Sequence, residues 1–205
     1  MNDRDSTNLS FDPYLLAQVR ESFGRVVYSH KTHEKQADIC FAKHRIREGV
    51  LIVLTAASSG TFLAALVGAL VTPAETNLIT SFIALLVTAI SLSTKKFKYA
   101  EEAEAHRDTA SALWNVRESY ISLISDLMAM ATSDLEAHER RNQLQFEAHE
   151  AYATAPRTSH HAYKKASTGL KKNEELTFTS GEIDLFLPEE LRLNAHEKVK
   201  ETENK

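Results

Sequence analysis

The side chains that could carry chemistry are few, and none falls in a spacing that a known reaction requires. His30, His33 and Glu34 lie within five residues of one another, and two imidazoles with a carboxylate are ligand types suited to zinc. The helical zinc signature, however, sets its histidines four residues apart around a glutamate, and a three-residue spacing does not specify a metal. The expected role of this group is in a helix seam or at the surface. Ser58, Ser59 and Gly60 offer hydroxyls beside a glycine, but the flanking glycine of a nucleophile elbow is missing and the segment lies in an apolar run. No phosphate loop, dinucleotide fingerprint or paired-cysteine site occurs, and the lone Cys40 cannot form an internal disulfide. The sequence therefore reads as a non-enzyme with no catalytic, cofactor-binding or metal residues.

Less reactive residues are more informative. Ala56, Gly60, Ala64 and Gly68 recur every four residues and give one helix a smooth face on which another helix can pack closely. Ser81, Ala84, Thr88 and Ser91 recur at three and four and lead to Lys95, so a second helix carries hydroxyls in apolar surroundings. One reading of that face is packing, with hydroxyls bonded to backbone carbonyls. The other makes Ser81, Thr88 and Ser91 pore-facing once several copies assemble. No ionisable residue lies deep in either segment, which argues against a proton relay, a carrier of charged substrates or an intramembrane hydrolase.

The elements that must position these faces are two charge-free apolar runs, Gly49 to Ala74 and Thr76 to Thr94. About 20 helical residues cross a hydrocarbon core about 30 Å thick, so the runs predict two transmembrane helices, 49–71 and 76–94. The turn over 72–75 is chemically defined. Thr72 and Glu75 form a capping box with Pro73 at the first helical position, satisfying backbone donors that would otherwise face lipid. The competing arrangement, a buried hairpin inside a soluble bundle, seldom keeps nearly two dozen residues free of charge on every face. Lys43, Arg45 and Arg47 precede the first run, and Lys95, Lys96 and Lys98 follow the second. The positive-inside rule then puts both termini in the cytoplasm, with Cys40 on the reducing side. The polar N-terminal stretch has no signal-peptide pattern.

Outside the spans the 205-residue chain, of net charge −4, is charged, alanine-rich and poor in glycine and proline, a helical composition that does not suggest nucleic-acid binding. The fold class is all-α: a membrane hairpin extended by long antiparallel cytosolic helices, with short C-terminal helices. Residues 1–12 are read as a disordered N-terminus. A helix over 13–48 starts at Asp12–Pro13 and carries a stripe of Leu16, Val19, Phe23, Val26, Ala37 and Cys40, with His30 and His33 in the same phase between its halves. A second helix, 95–131, is read as continuous with the second span, and its stripe runs Tyr99, Ala103, His106, Ala110, Leu113, Val116, Tyr120, Leu123, Leu127 and Met130. Ser133 and Glu136 form another capping box, and further helices occupy 133–172, with Leu135, Leu144, Phe146 and Tyr152 as apolar anchors. Residues 173–205 are read as a docking segment, carrying Ile183, Leu185, Phe186 and Leu187, and a frayed tail.

The segments YSHKTHEKQADICFAKHRIREG and FKYAEEAEAHRDTASALWNVRESYISLISDL, flanking the hairpin, resemble the SLATT family of membrane effectors of bacterial conflict systems, and TFTSGEIDLFLPEELR is similar to the end of one of its branches. The resemblance implies a two-span effector proposed to form pores that arrest or kill an infected cell. It works beside a cytosolic sensor such as a nucleotide-second-messenger synthase or a reverse transcriptase. The family has no catalytic residues to carry over. The expected function is an oligomeric, pore-forming membrane effector that contacts lipid and needs no cofactor. The alternative is a non-conducting scaffold that recruits a cytosolic defence enzyme.

Overall fold

The computed structural model describes residues 12–57, 72–188 and 192. Every regular element in them is a helix: α1 Pro13–Ala57, α2 Pro73–Lys96, α3 Tyr99–Met128, α4 Asp134–Ala153, α5 His160–Lys171 and α6 Ser180–Phe186. Gly60, Ala64 and Gly68, with Ser58 and Ser59, lie outside the described residues. Among those that are described, no helix is long and apolar enough to cross a membrane. The first apolar run passes out of the description after Ala57, and α2, though 24 residues long, is polar at both ends.

α1, α2 and α4 start where the sequence supplies acceptors, whereas α3 follows Lys98, whose side chain makes no cap bond. The Asp12 carboxylate takes the amide protons of Tyr14 and Leu15 at 2.8 and 3.1 Å, and Pro13 needs no partner at the first position. Thr72 caps α2, and its amide and hydroxyl both donate to Glu75, at 2.9 and 2.8 Å. Those bonds hold the Glu75 carboxyl below the usual carboxylate range. Ser133 caps α4 by accepting from the Glu136 amide at 3.3 Å, while Thr132 donates its hydroxyl to the Glu136 carboxylate.

The expected continuity between the second span and the following helix is interrupted. Phe97 and Lys98 leave helical geometry, with ψ of 97° and 59°, and separate α2 from α3. Arg47 of α1 lies against the break, donating to the Phe97 carbonyl at 2.6 Å with its guanidinium 5.3 Å from the centre of the Tyr99 ring. No break occurs on the other arm. α1 runs without interruption from the polar segment into the apolar run, over 45 residues.

α1 and α3 pair antiparallel, as their partners show: Arg47 with Phe97, Cys40 with Glu102, His33 with His106, and Ser22 with Tyr120. The predicted α3 stripe is buried from Ala103 to Leu127; only its ends, Tyr99 and Met130, lie outside the core. On α1 Val19, Val26, Ala37 and Cys40 are buried as expected, while Leu15 and Ser22 are buried in place of Leu16 and Phe23, which pack half-buried against the core. α4 completes the core through Ala137, Leu144, Ala148 and Ala151. Leu135 and Phe146 are exposed instead, because a helix laid on an already paired seam approaches through its small side chains.

Chain contacts divide the molecule into Met1–Tyr163 and Lys164–Lys205. In the second unit Gly169 is explained by a close approach: a Cβ there would meet the Glu175 carboxylate at 2.8 Å. α6 starts on a reciprocal box in which Thr179 accepts from the Glu182 amide and donates its own amide and hydroxyl to the Glu182 carboxylate. Leu185 and Phe186, expected to dock, are 76% and 79% exposed.

Candidate functional site

The hairpin residues singled out by sequence stand as follows. Ala56, Ser81, Thr88 and Ser91 are all exposed in the single chain, and Thr88 donates its hydroxyl to the Ala84 carbonyl at 2.8 Å. Lys43, Arg45 and Lys98 are exposed and Arg47 is half-buried, while Lys95 and Lys96 close α2. The large apolar side chains around them are open too: Ile52, Val53, Leu78, Phe82, Leu85 and Leu92 are all more than half exposed.

The most concentrated chemistry lies in the middle of the α1–α3 seam. His33 and His106, 6% and 2% exposed, face each other with Nδ1 atoms 3.0 Å apart and rings tilted by 46°. At that distance one nitrogen donates and the other accepts, so the pair shares a single proton between two neutral imidazoles. Protonating both would set two N–H donors against each other in a buried layer. Burial, with the neighbouring His106 and His30 adding to it, pushes His33 down to about 4. Burial lowers His106 as well, against the opposing pull of Glu102. His30 is also lowered by burial; Glu34 opposes the shift, and Arg117 and Lys31 reinforce it.

Around this pair the layer is polar and connected. Lys31 is buried and donates to Glu34 at 2.8 Å. Gln36, also buried, accepts from the Ser159 amide and hydroxyl at 3.0 and 2.6 Å and reaches the Cys40 sulfur at 3.4 Å. Ser159 in turn accepts from the Ala162 amide, so the layer fixes the first turn of α5. Among the described residues no group of three or more His, Cys, Asp or Glu side chains could hold a metal. The polar groups of the layer bind protons and tie α1 to α3 and to the start of α5.

The sequence placed His30, His33 and His106 on the correct stripes without pairing them. Counting equal steps from the midpoint of the 72–75 turn would set Trp114 opposite His33. The break at Phe97 and Lys98 accounts for part of the difference, since an extended residue such as Phe97 advances about 3.3 Å and a helical one about 1.5 Å, a shift of about one residue.

An all-helical chain whose long arms lead into apolar segments defines a class of helical-hairpin proteins. Residues 15–182 match the model of the SMODS and SLOG-associating 2TM effector domain family 4, SLATT_4, and the chain belongs to that family. Membership implies a defence-associated effector role and association with a membrane. No curated protein and no solved structure matches the chain.

Proposed function

We propose that this protein is an effector of the bacterial inner membrane, with both termini cytoplasmic, that oligomerises and forms a pore when a cytosolic partner or signal repacks its helical arms. Opening dissipates the membrane potential and arrests or kills the cell as a defence against phage. The observation that carries this reading is the belt of open apolar side chains on α2 and the end of α1, with Leu78 72% and Phe82 59% exposed. An apolar surface of that extent has no stable place in water and a natural one in lipid. Arg47 and the non-helical Phe97 and Lys98 supply a joint between the paired arms and the hairpin. Force transmitted along α3 reaches α2 through that joint, while α1 transmits directly. The test is ion flux in liposomes reconstituted with the purified chain. Flux that rises with protein density more steeply than linearly supports an assembled conduit, and tight vesicles at every density, with and without lysate from infected cells, count against it.

A second reading, a non-conducting scaffold, is favoured by one feature, the exposed Leu185 and Phe186 of α6. Replacing both with glutamate would then abolish recovery of a cytosolic enzyme while leaving membrane insertion intact. Unchanged recovery would dismiss it.

A further inference from the structure

A glycine inside a helix costs about 1 kcal/mol relative to alanine, so its presence calls for a reason such as close approach by another group. Gly169 has one in the Glu175 carboxylate. Gly24, near the middle of the polar half of α1, has none: a Cβ built there meets no atom within 4 Å. The space it leaves is the floor of an open groove of about 800 Å³, bounded by α1, α3, α4 and the first turn of α5, all within the first unit.

The walls of that groove are aromatic. Tyr28 and Tyr163 stack at a centroid distance of 6.1 Å with their planes 30° apart, Tyr152 stands on the α4 side, and Tyr120 closes the base with its hydroxyl bonded to Ser22. Polar ends reach the same space from two sides. Gln145 and His149 make no hydrogen bond among the described residues, and Arg25 is held in place by Glu21 and the Ser22 hydroxyl. Tyrosine faces with amide and imidazole groups at the margin recognise a flat ring with hydrogen-bonding edges. The local charge gives no preference for an anion, because Glu21 offsets Arg25 at 3.2 Å.

We infer that the groove over Gly24 is a binding site for a small ligand built on a planar aromatic ring, which lies over the glycine against the rings of Tyr28, Tyr152 and Tyr163. The site goes beyond the proposed pore and does not depend on it. A ligand there touches α1, α4 and α5 at once and biases how they pack. The inference predicts a binding event measurable whether or not the membrane conducts.

The full chain in lipid nanodiscs is titrated by saturation-transfer NMR with benzamide and nicotinamide, against cyclohexanecarboxamide as the matched saturated ring. The expected result is saturable binding of the two aromatic amides, weaker by about tenfold or more for the saturated one, as the loss of a stacking contact implies. Gly24→Leu fills the groove while improving helix propensity, so it should abolish that binding with helix content and melting temperature retained or raised. Tyr152→Ala should weaken binding and Tyr152→Phe should restore it, which a merely structural tyrosine would not do in parallel. Absence of saturable binding by both aromatic amides, equal binding of the saturated amide, or undiminished binding by Gly24→Leu would each overturn the inference.

Discussion

At the scale of single residues, the buried layer between α1 and α3 ties the fold to pH. His33 has its pKa depressed on folding, so the unfolded chain binds the extra proton first as pH falls. The stability it contributes is complete above pH 6.5 and is lost as pH drops from there toward 4. His106 and His30 shift the same way. Urea midpoints measured between pH 7.5 and pH 4 should fall steeply below 6.5. His33→Gln, which keeps a neutral hydrogen-bonding group opposite His106, should flatten the slope, and an unchanged slope would show that other groups set it. Gln36→Ala strips the Ser159 amide and hydroxyl of their shared acceptor. It should cost about 1–3 kcal/mol and raise amide exchange first in the opening turn of α5. Of this layer, sequence showed which residues interrupt the apolar stripes. It did not show which face one another, because the axial register depends in part on the backbone break after α2, which leaves no hydropathy signal.

At the scale of elements, helix starts were legible and helix ends less so. Asp12–Pro13, Thr72–Glu75 and Ser133–Glu136 act at short range through side chains whose identity is their function; all three cap their helices, although the expected box at Ser133 is half formed, with Glu136 accepting from Thr132. The same chemistry at Thr179 and Glu182 was present in the sequence as a three-residue spacing. The end of α3 depends instead on a backbone state. Met130 adopts φ of 51°, its amide donates to the Leu127 carbonyl, and the Ala131 amide donates to Asp126. This is a Schellman ending with methionine where glycine is usual. Met130→Gly relieves the left-handed strain and should raise stability by about 0.5–1 kcal/mol, read as a higher melting temperature. A fall would mean that the exposed Met130 side chain makes a contact outside the single chain. The α4 seam was misread for a different reason: alanines at 137, 148 and 151 carry little hydrophobic weight in a pattern, yet they allow the closest approach.

At the scale of the whole molecule, the account joins a family of two-transmembrane effectors to a chain whose polar arms are firmly paired and whose apolar end is open. The pairing of α1 with α3 gives the polar half a packing held by the core from Leu15 to Leu127. The hairpin half has apolar surface in search of a partner, whether lipid or other copies. In the proposed mechanism a signal that loosens the arms changes the half that is already satisfied and frees the half that is not. The central claim is that assembled hairpins conduct, and it is tested most directly by membrane potential. A voltage-sensitive dye is followed in bacteria while the chain is induced beside Gly60→Leu at matched membrane levels. The account predicts rapid depolarisation by the parent chain and little by the variant, whose bulky side chain interrupts the small-residue face. Equal depolarisation by both would contradict assembly through that face, and a steady potential with the parent chain during phage challenge of a sensitised host would contradict the pore itself.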